Sequence, residues 1–166
     1  MTNRADVVGS RERLRTREID AVLAACRLLV AVSVRSAGAV ADQVNLLQLR
    51  ILAVVSSRPG IGVRDLAGAT GLHVSRASRA CERMVEDGLL CREEDPRDRR
   101  GVRLSVTAEG RSLVNQVASA RRRAVRPALQ RMTAEQRNAL VEALTAFAGS
   151  ADQPADVDLW AAGWTT

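Results

Sequence analysis

Arginines are the side chains of this 166-residue chain that are best suited to bind other molecules. All 25 of its basic residues are arginine, and the formal net charge is +6. A guanidinium group offers a planar fork of N–H donors that fits phosphate oxygens and the edge of guanine, so a basic, all-arginine chain suggests contacts with nucleic acid. A genome rich in G and C would also replace lysine by arginine, so the position of the charge is better evidence than the residue type.

Residues for bond-making chemistry are scarce. The single histidine, His73, has no sequence partner for a metal site or a catalytic triad, and there is no glycine-rich phosphate loop. The three cysteines, Cys26, Cys81 and Cys91, are far apart and show no C-x-x-C spacing. We therefore predict no enzyme, no metal site, no cofactor and no disulfide framework.

One group of arginines falls on a short predicted helix, residues 74–87. Small and apolar residues recur along one side of this helix, at positions Ala77, Ala80, Cys81, Met84 and Val85. The opposite side and its flanks carry Ser75, Arg76, Ser78, Arg79 and Arg83. A helix divided in this way can pack one face on its domain and offer the other face to the major groove of DNA. Many amphipathic surface helices share the pattern, so the surrounding elements decide its meaning.

Hydrophobic periodicity, helix caps and turn residues place those elements. Possible capping boxes at Asn45 to Gln48 and at Thr133 to Gln136 mark two helix starts, and Pro127 is expected to perturb the helix that precedes it. The predicted helices cover residues 11–41, 46–57, 63–69, 74–87, 108–126 and 134–149, and the predicted strands cover residues 89–92 and 102–106. The expected fold class is mainly α with one small β-hairpin.

A series of short motifs over residues 44–111 resembles the MarR (multiple antibiotic resistance regulator) family. In chain order the motifs are Val63-Arg-Asp-Leu-Ala67, Gly71-Leu72, Ser75-Arg-Ala-Ser-Arg79, Glu86-Asp-Gly-Leu-Leu90, Asp95-Pro-Arg-Asp-Arg-Arg100 and Leu104-Ser-Val-Thr-Ala-Glu-Gly110. Each motif is weak alone, and their order and spacing carry the resemblance. It implies a winged helix-turn-helix flanked by N- and C-terminal dimerisation helices. It also implies a transcriptional regulator, a repressor that binds a pseudo-palindromic operator in double-stranded DNA as a homodimer.

The resemblance also implies which residues would contact DNA. Residues 74–87 become the recognition helix, on which Arg76 and Arg79 are candidates for reading bases, while Ser75 and Ser78 would reach bases or phosphates. Arg83 completes this set. The hairpin becomes a wing whose tip carries Arg97, Arg99 and Arg100. Either Arg97 or Arg99 would enter the minor groove, and Arg100 would brace the wing against Asp98.

Four segments of one structural domain follow from this interpretation. Residues 1–43 would form an N-terminal dimerisation helix, residues 44–110 the DNA-binding lobe, and residues 111–150 the C-terminal dimerisation helices. Apolar side chains of the last helix support a dimer, although they could instead close a core within one chain: Leu140, Val141, Leu144 and Phe147. Residues 151–166 form an acidic tail with Trp160 and Trp164. This tail either docks on the Arg121-Arg122-Arg123 cluster or remains unstructured.

An effector and a redox response are further expectations. Family members commonly hold a small lipophilic or anionic effector between the dimerisation helices and the DNA-binding lobe, and Arg27, Arg35 and Arg50 are candidate anchors for it. Such a pocket would be aliphatic, because the chain has one Phe, two Trp and no Tyr. Thiol oxidation at Cys26 is the alternative means of sensing. From a different class, a winged-helix module that binds proteins is the alternative function.

The expected location is the cytoplasm, with no membrane partner. No uninterrupted apolar run approaches the roughly 18 residues needed to span a bilayer. The N-terminus, Met1 to Arg17, is polar and rich in arginine, without the apolar region of a signal peptide.

Overall fold

The computed structural model describes residues 16–95 and 98–150, and over this part the chain is mainly helical with a small sheet. The helices are α1 (Thr16–Ala37), α2 (Leu46–Ser57), α3 (Val63–Thr70), α4 (Val74–Glu86), α5 (Ala108–Gln130) and α6 (Ala134–Ser150), with a short 3-10 helix at Gly38–Val40. The strands are β1 (Ile61–Gly62), β2 (Leu90–Asp95) and β3 (Asp98–Val106). The predicted fold class is confirmed.

Local side-chain bonds explain where several helices begin and end. Before α2, the Gln48 backbone N–H donates to the Asn45 side chain at 3.0 Å, and the Asn45 N–H donates to Gln48 Oε1 at 2.9 Å. The same reciprocal pair joins Thr133 and Gln136 before α6, at 3.2 and 2.9 Å. Both predicted capping boxes are therefore present. Helix α3 ends at Gly71, whose φ of 65° lies in the left-handed region that glycine adopts without a steric penalty.

The sheet contains one strand more than the predicted hairpin. Its order is β1-β3-β2, and all neighbouring strands are antiparallel. The strand that was not predicted, β1, has only two residues, which is too short to show an alternating hydrophobic pattern in the sequence. It pairs Ile61 with Leu104 and Gly62 with Arg103, which ties the start of α3 to the wing.

Helix α5 is longer than expected, because it continues through Pro127 to Gln130. Proline removes one backbone donor from the helix, and its ring crowds the preceding turn. Here the chain stays helical for three further residues, and the Arg131 N–H then bonds back to the carbonyls of Ala128 and Leu129. The expectation that the helix ends near Arg126 is therefore wrong.

The expectation that no apolar segment is long enough to span a bilayer needs correction at α1. The segment Thr16–Val40 is long and apolar enough to cross a membrane by length and composition, with a mean hydropathy of 1.6 over its most apolar window. Scattered polar residues such as Arg27 and Ser33 interrupt the apolar run, which is why counting uninterrupted residues missed it. Only 17% of that window is buried, so the described residues of a single copy leave most of this apolar surface uncovered.

The core lies between α2 and the elements that surround it. Leu52 of α2, Met84 of α4, Leu104 of β3 and Leu113 of α5 are all fully buried in one hydrophobic cluster. Helix α1 packs on α5, and α3 packs on α4. One core thus joins the long helices to the small lobe and fixes the orientation of α4.

Candidate nucleic-acid interface

Helix α4 packs on the lobe through the face that the sequence predicted. Ala77, Cys81 and Met84 have no measurable exposure, and Ala80 and Val85 are partly buried beside them. Burial raises the pKa of the Cys81 thiol to about 11, although the charge of nearby Arg92 acts in the opposite direction. The predicted inward face is confirmed, and Cys81 is a thiol at neutral pH rather than a reactive thiolate.

The opposite face of α4 is open to solvent. The side chains of Ser75, Arg76, Arg79 and Arg83 are exposed, and Ser78 is half-buried. Arg79 folds back along the helix, and its Nε donates to the Ser75 carbonyl oxygen at 3.3 Å. The guanidinium groups of Arg76, Arg79 and Arg83 thus lie at or near the surface of one helix, where they could reach phosphates or base edges.

Glu82 links the outward face of α4 to the sheet. The Ser78 hydroxyl donates to Glu82 Oε1 at 2.9 Å, and Arg92 Nη1 of β2 lies 3.9 Å from the same oxygen. The charge of Glu82 is therefore shared with two neighbours on its own lobe. Sequence reasoning missed Arg92, because the two residues are ten positions apart and meet only through the turn into β2.

The turn before α4 is held by backbone bonds. The Leu72 N–H donates to the Ala67 carbonyl oxygen at 2.9 Å, and the Ala77 N–H donates to the His73 carbonyl oxygen at 3.0 Å. His73 occupies the N-cap position but makes no side-chain capping bond. The start of α4 consequently has no side-chain cap, which is an environment that favours a negatively charged group.

The wing is formed by β2 and β3. Their register pairs Arg92 with Leu104 and Asp95 with Asp98, with an irregularity between Glu94 and Asp95. The backbone of Arg99 and Arg100 lies in β3, close to the hairpin turn. Arg97 lies outside the described residues. The predicted wing therefore exists as a strand pair, while the contacts of its three arginines remain predictions.

Thr107 and Gly110 join the wing to α5. The Thr107 hydroxyl donates to the Gly88 carbonyl oxygen at 2.7 Å and accepts from the Gly110 N–H at 3.1 Å. A Cβ atom added to Gly110 would overlap the Leu89 carbonyl oxygen and lie 2.9 Å from Leu52 Cδ2. This close contact holds α5 against both the strand pair and α2.

Surface depressions lie among the described helices. One of about 800 Å³ lies along α5 and the start of α6, and we call it the α5–α6 cleft. Another, about 640 Å³, runs between Ala39 and the first half of α5, and a smaller one, about 200 Å³, lies between the end of α1 and α2. The proposed effector anchors line none of these three: Arg27 and Arg35 are exposed on α1, and Arg50 is half-buried on α2.

The cysteines differ in their surroundings. Cys26 is exposed on α1, and Cys81 is buried. Cys91 is half-buried, with its sulfur 3.2 Å from the Ser105 hydroxyl oxygen. Within the described residues there is no group of three or more histidine, cysteine or acidic side chains arranged to hold a metal ion.

Comparison with known proteins decides the family. The model of the MarR family matches residues 42–101. The crystal structure of RV1404 from Mycobacterium tuberculosis is 32% identical, with a TM-score of 0.74, over 87% of this chain and 99% of that one. The chain belongs to the MarR family. It is thus a DNA-binding transcriptional regulator and not an enzyme, and its winged helix-turn-helix fold is the one that the sequence motifs indicated.

More distant structures share the fold of this MarR-family protein. The transcriptional regulator Tm0710 from Thermotoga maritima is 21% identical, with a TM-score of 0.69, over 80% of this chain and 93% of that one. FabT of Streptococcus pneumoniae, solved in complex with DNA, is 17% identical, with a TM-score of 0.57, over 80% of this chain and 94% of that one. No curated protein matches the chain.

Proposed function

We propose that this MarR-family protein is a cytoplasmic repressor that binds a pseudo-palindromic operator as a homodimer. The observation that carries the proposal is the division of α4: Ala77, Cys81 and Met84 on its inner face are fully buried, while Arg76, Arg79 and Arg83 lie exposed on its outer side. A module that binds proteins would not require three exposed arginines on this helix, so the charge favours DNA over the protein-binding alternative. The solved complex of FabT with DNA supports the same choice by fold.

Each candidate contact has a chemical role in the proposal. Arg76 and Arg79 read guanine by forked hydrogen bonds in the major groove, and Arg83 contacts phosphate. Ser75 lies one helical turn before Arg79 and accepts a bond from it through its carbonyl, so it can orient that side chain. Because Arg79 Nε is engaged in this way, its terminal nitrogens are the ones that would meet the base edge.

A dimer follows from the length of the DNA site and from the surface of the protein. One recognition helix reads few base pairs, so two copies would bind half-sites whose centres lie about 34–36 Å apart. Residues 44–110 form the DNA-binding lobe in this proposal, while residues 1–43 and 111–150 provide the dimer interface. Helix α6 supports this division, because none of its residues is buried in a single copy and Val141, Leu144 and Phe147 are at least half-exposed.

The readout proposal predicts a base-specific effect for Arg79→Ala. The variant should lose about 1–3 kcal/mol of binding free energy on the operator, because a forked contact with one base pair per half-site is removed. The operator is first identified by sequencing the genomic DNA fragments that the protein binds. Fluorescence anisotropy then measures the affinity for operator DNA and for random duplex DNA. Preference at one base pair per half-site should weaken as well.

Arg131→Ala is the matched control for this experiment, since Arg131 is also exposed but is the C-cap residue of α5 instead of lying on α4. It removes the same charge and should leave the discrimination between operator and random DNA unchanged. An equal loss of affinity on operator and random DNA in Arg79→Ala would contradict base reading by this residue.

The wing predicts a different signature for Arg99→Ala and Arg97→Ala. Each variant should weaken binding to operator and random DNA to a similar extent, because a wing arginine mainly displaces counterions. The slope of log affinity against log salt should fall by about one unit. Titrations at several salt concentrations measure the slope. An unchanged slope in both variants would remove the wing from the interface.

Release from DNA by a small effector is part of the same proposal. Arg27, Arg35 and Arg50 remain its candidate anchors, and each would bind an anionic group of an otherwise aliphatic ligand. They line none of the three clefts described above, and in this proposal a second copy of the chain helps to enclose the site. Thiol sensing is the alternative, and exposed Cys26 on α1 is better suited to it than Cys81, whose pKa is raised by burial.

A further inference from the structure

The α5–α6 cleft is a basic groove with an apolar floor. Four arginines line it, together with the apolar side chains of Ala118, Val125 and Leu129 and the amide of Gln130. The arginines are Arg121, Arg122, Arg126 and Arg137. No acidic side chain of the described residues lines the cleft. Its surface is therefore suited to an occupant that combines negative charge with a large apolar group.

The arginines of the cleft are partly fixed in place. Arg137 Nη1 donates to the carbonyl oxygens of Met132 at 2.6 Å and Leu129 at 3.4 Å, which holds this side chain at the turn between α5 and α6. Arg121 is half-buried, and this burial lowers the pKa of its guanidinium below the ordinary value. Arg122, Arg126 and Arg137 are exposed, so the desolvation cost falls on Arg121, and an anionic occupant would offset it together with the repulsion among the four cations.

Residues 151–166 have the complementary composition. They contain three aspartates and no basic residue, and they also contain both tryptophans of the chain, Trp160 and Trp164. Tryptophan combines a large apolar surface with a strong attraction for a guanidinium group over its ring. The last basic residue of the chain is Arg137, so the acidic segment directly follows the helix that begins beside the cleft.

The segment is long enough to reach the cleft of its own chain. Helix α6 ends at Ser150, and Arg137 lies 13 residues earlier, which is about 20 Å along a helix axis. Trp160 follows Ser150 by ten residues, which span up to about 33 Å when extended. The chain can therefore return along α6 and place its aspartates and tryptophans in the cleft.

We propose that residues 151–166 dock in the α5–α6 cleft of their own chain. Asp156 and Asp158 pair with the cleft arginines, and Trp160 and Trp164 cover Val125 and Leu129. The docked aspartates would neutralise the four cleft arginines. Without them, these arginines could bind DNA phosphates in competition with the recognition helix. The idea does not rest on the proposed operator binding. The cleft lies within residues 111–150, which the proposed dimer also uses, so the docked segment would lie at the edge of that interface.

Tryptophan fluorescence of the full chain tests this proposal directly, because the only two tryptophans lie in the segment and the chain has no tyrosine. In the wild-type protein we expect emission at shorter wavelength than that of free tryptophan in water, and protection from acrylamide quenching. Arg122→Gln with Arg126→Gln should shift the emission to longer wavelength and remove the protection. Raising the salt from 0.1 to 1 M, where the screening length falls from about 10 to 3 Å, should weaken the protection.

Two further variants keep the experiment decisive. Asp156→Asn with Asp158→Asn should expose the tryptophans as the arginine pair does, and this change cannot disturb the packing of α5 on its neighbours. Arg123→Gln is the control, because Arg123 neighbours the cleft arginines in sequence but lines the other groove on α5. It should leave the emission and the quenching unchanged, while circular dichroism verifies the helix content of every variant.

Several results would overturn the proposal. Tryptophans as accessible in the wild-type protein as free tryptophan would show that the segment does not dock, and would leave the cleft to a small anion or a second copy. Protected tryptophans that respond to neither double variant would place the segment elsewhere. An equal response to Arg123→Gln would mean that general charge, and not this cleft, holds the segment. If Arg122→Gln with Arg126→Gln loses helix content, the test rests on the tryptophan emission and quenching of Asp156→Asn with Asp158→Asn.

Discussion

Replacing Gly110 by alanine should destabilise the protein by about 2–3 kcal/mol, which is at the upper end of the cost of overpacking. The added methyl group would overlap the Leu89 carbonyl oxygen, and Leu52 Cδ2 would lie 2.9 Å away. A backbone carbonyl has no alternative rotamer that would relieve the overlap, so α5 must move away from the strand pair. The greater helix propensity of alanine, up to about 1 kcal/mol, recovers only part of the loss. Thermal unfolding should show a melting temperature lower by about 5–10 °C.

Gly68→Ala is the matched control, since Gly68 also lies inside a helix but a Cβ atom there would have no neighbour within 4 Å. This variant should unfold at the same temperature as the wild-type protein or slightly above it, because only the propensity term changes. If Gly110→Ala behaved like Gly68→Ala, the junction between α5 and the strand pair would not be tightly packed. The same close contact explains physically why the motif Leu104-Ser-Val-Thr-Ala-Glu-Gly110 ends in glycine.

The sequence predicted the structure best where one element shows both an apolar face and a charged face. Helix α4 shows this, because Ala77, Cys81 and Met84 repeat at helical spacing on one face while arginines occupy the other. Burial of that face follows from the hydrophobic effect alone, whatever the neighbours are. The capping box of Asn45 and Gln48 is similarly local, since both bonds join residues three positions apart. Such features depend little on tertiary structure, and the structure confirms them.

Features that depend on distant residues could not be predicted in this way. Strand β1 has two residues and exists only because β3 lies beside it. The contact between Glu82 and Arg92 requires the turn into β2 to bring a strand against a helix. The α5–α6 cleft gathers Arg121 and Arg137 from two helices. Adjacency in sequence had grouped Arg121 with Arg122 and Arg123, but Arg123 points into a different groove.

Helix α1 shows why composition has to be interpreted together with packing. By hydropathy it could cross a membrane, but it packs on α5, and its Val32, Ser33 and Ser36 are buried. On a different face, Leu23 and Val30 are 50% and 48% exposed in a single copy. A helix with one face on its own domain and one open apolar face fits an interface between two copies better than a lipid environment. Family membership favours the same interpretation.

The dimer proposal predicts that Leu23→Glu with Val30→Glu will produce a folded monomer. The two positions share one face of α1, and a pair of carboxylates there would be desolvated without partners in a dimer interface. Both side chains are half-exposed in the single chain, so its helix content should remain that of the wild-type protein. Operator affinity should fall by about 10²–10⁴-fold, because the second half-site is no longer bound by a linked copy.

Leu46→Glu is the control for this variant, because Leu46 is an exposed leucine outside α1 and α6, at the first turn of α2, where an acidic residue is tolerated. Light scattering after size-exclusion chromatography should give the mass of one chain for the α1 double variant and of two chains for Leu46→Glu and the wild-type protein. Leu144→Glu on α6 should also give one chain if both helices form the same interface. A double variant that keeps the mass of two chains and full operator affinity would exclude this face of α1 from the dimer, and its apolar surface would then need another partner.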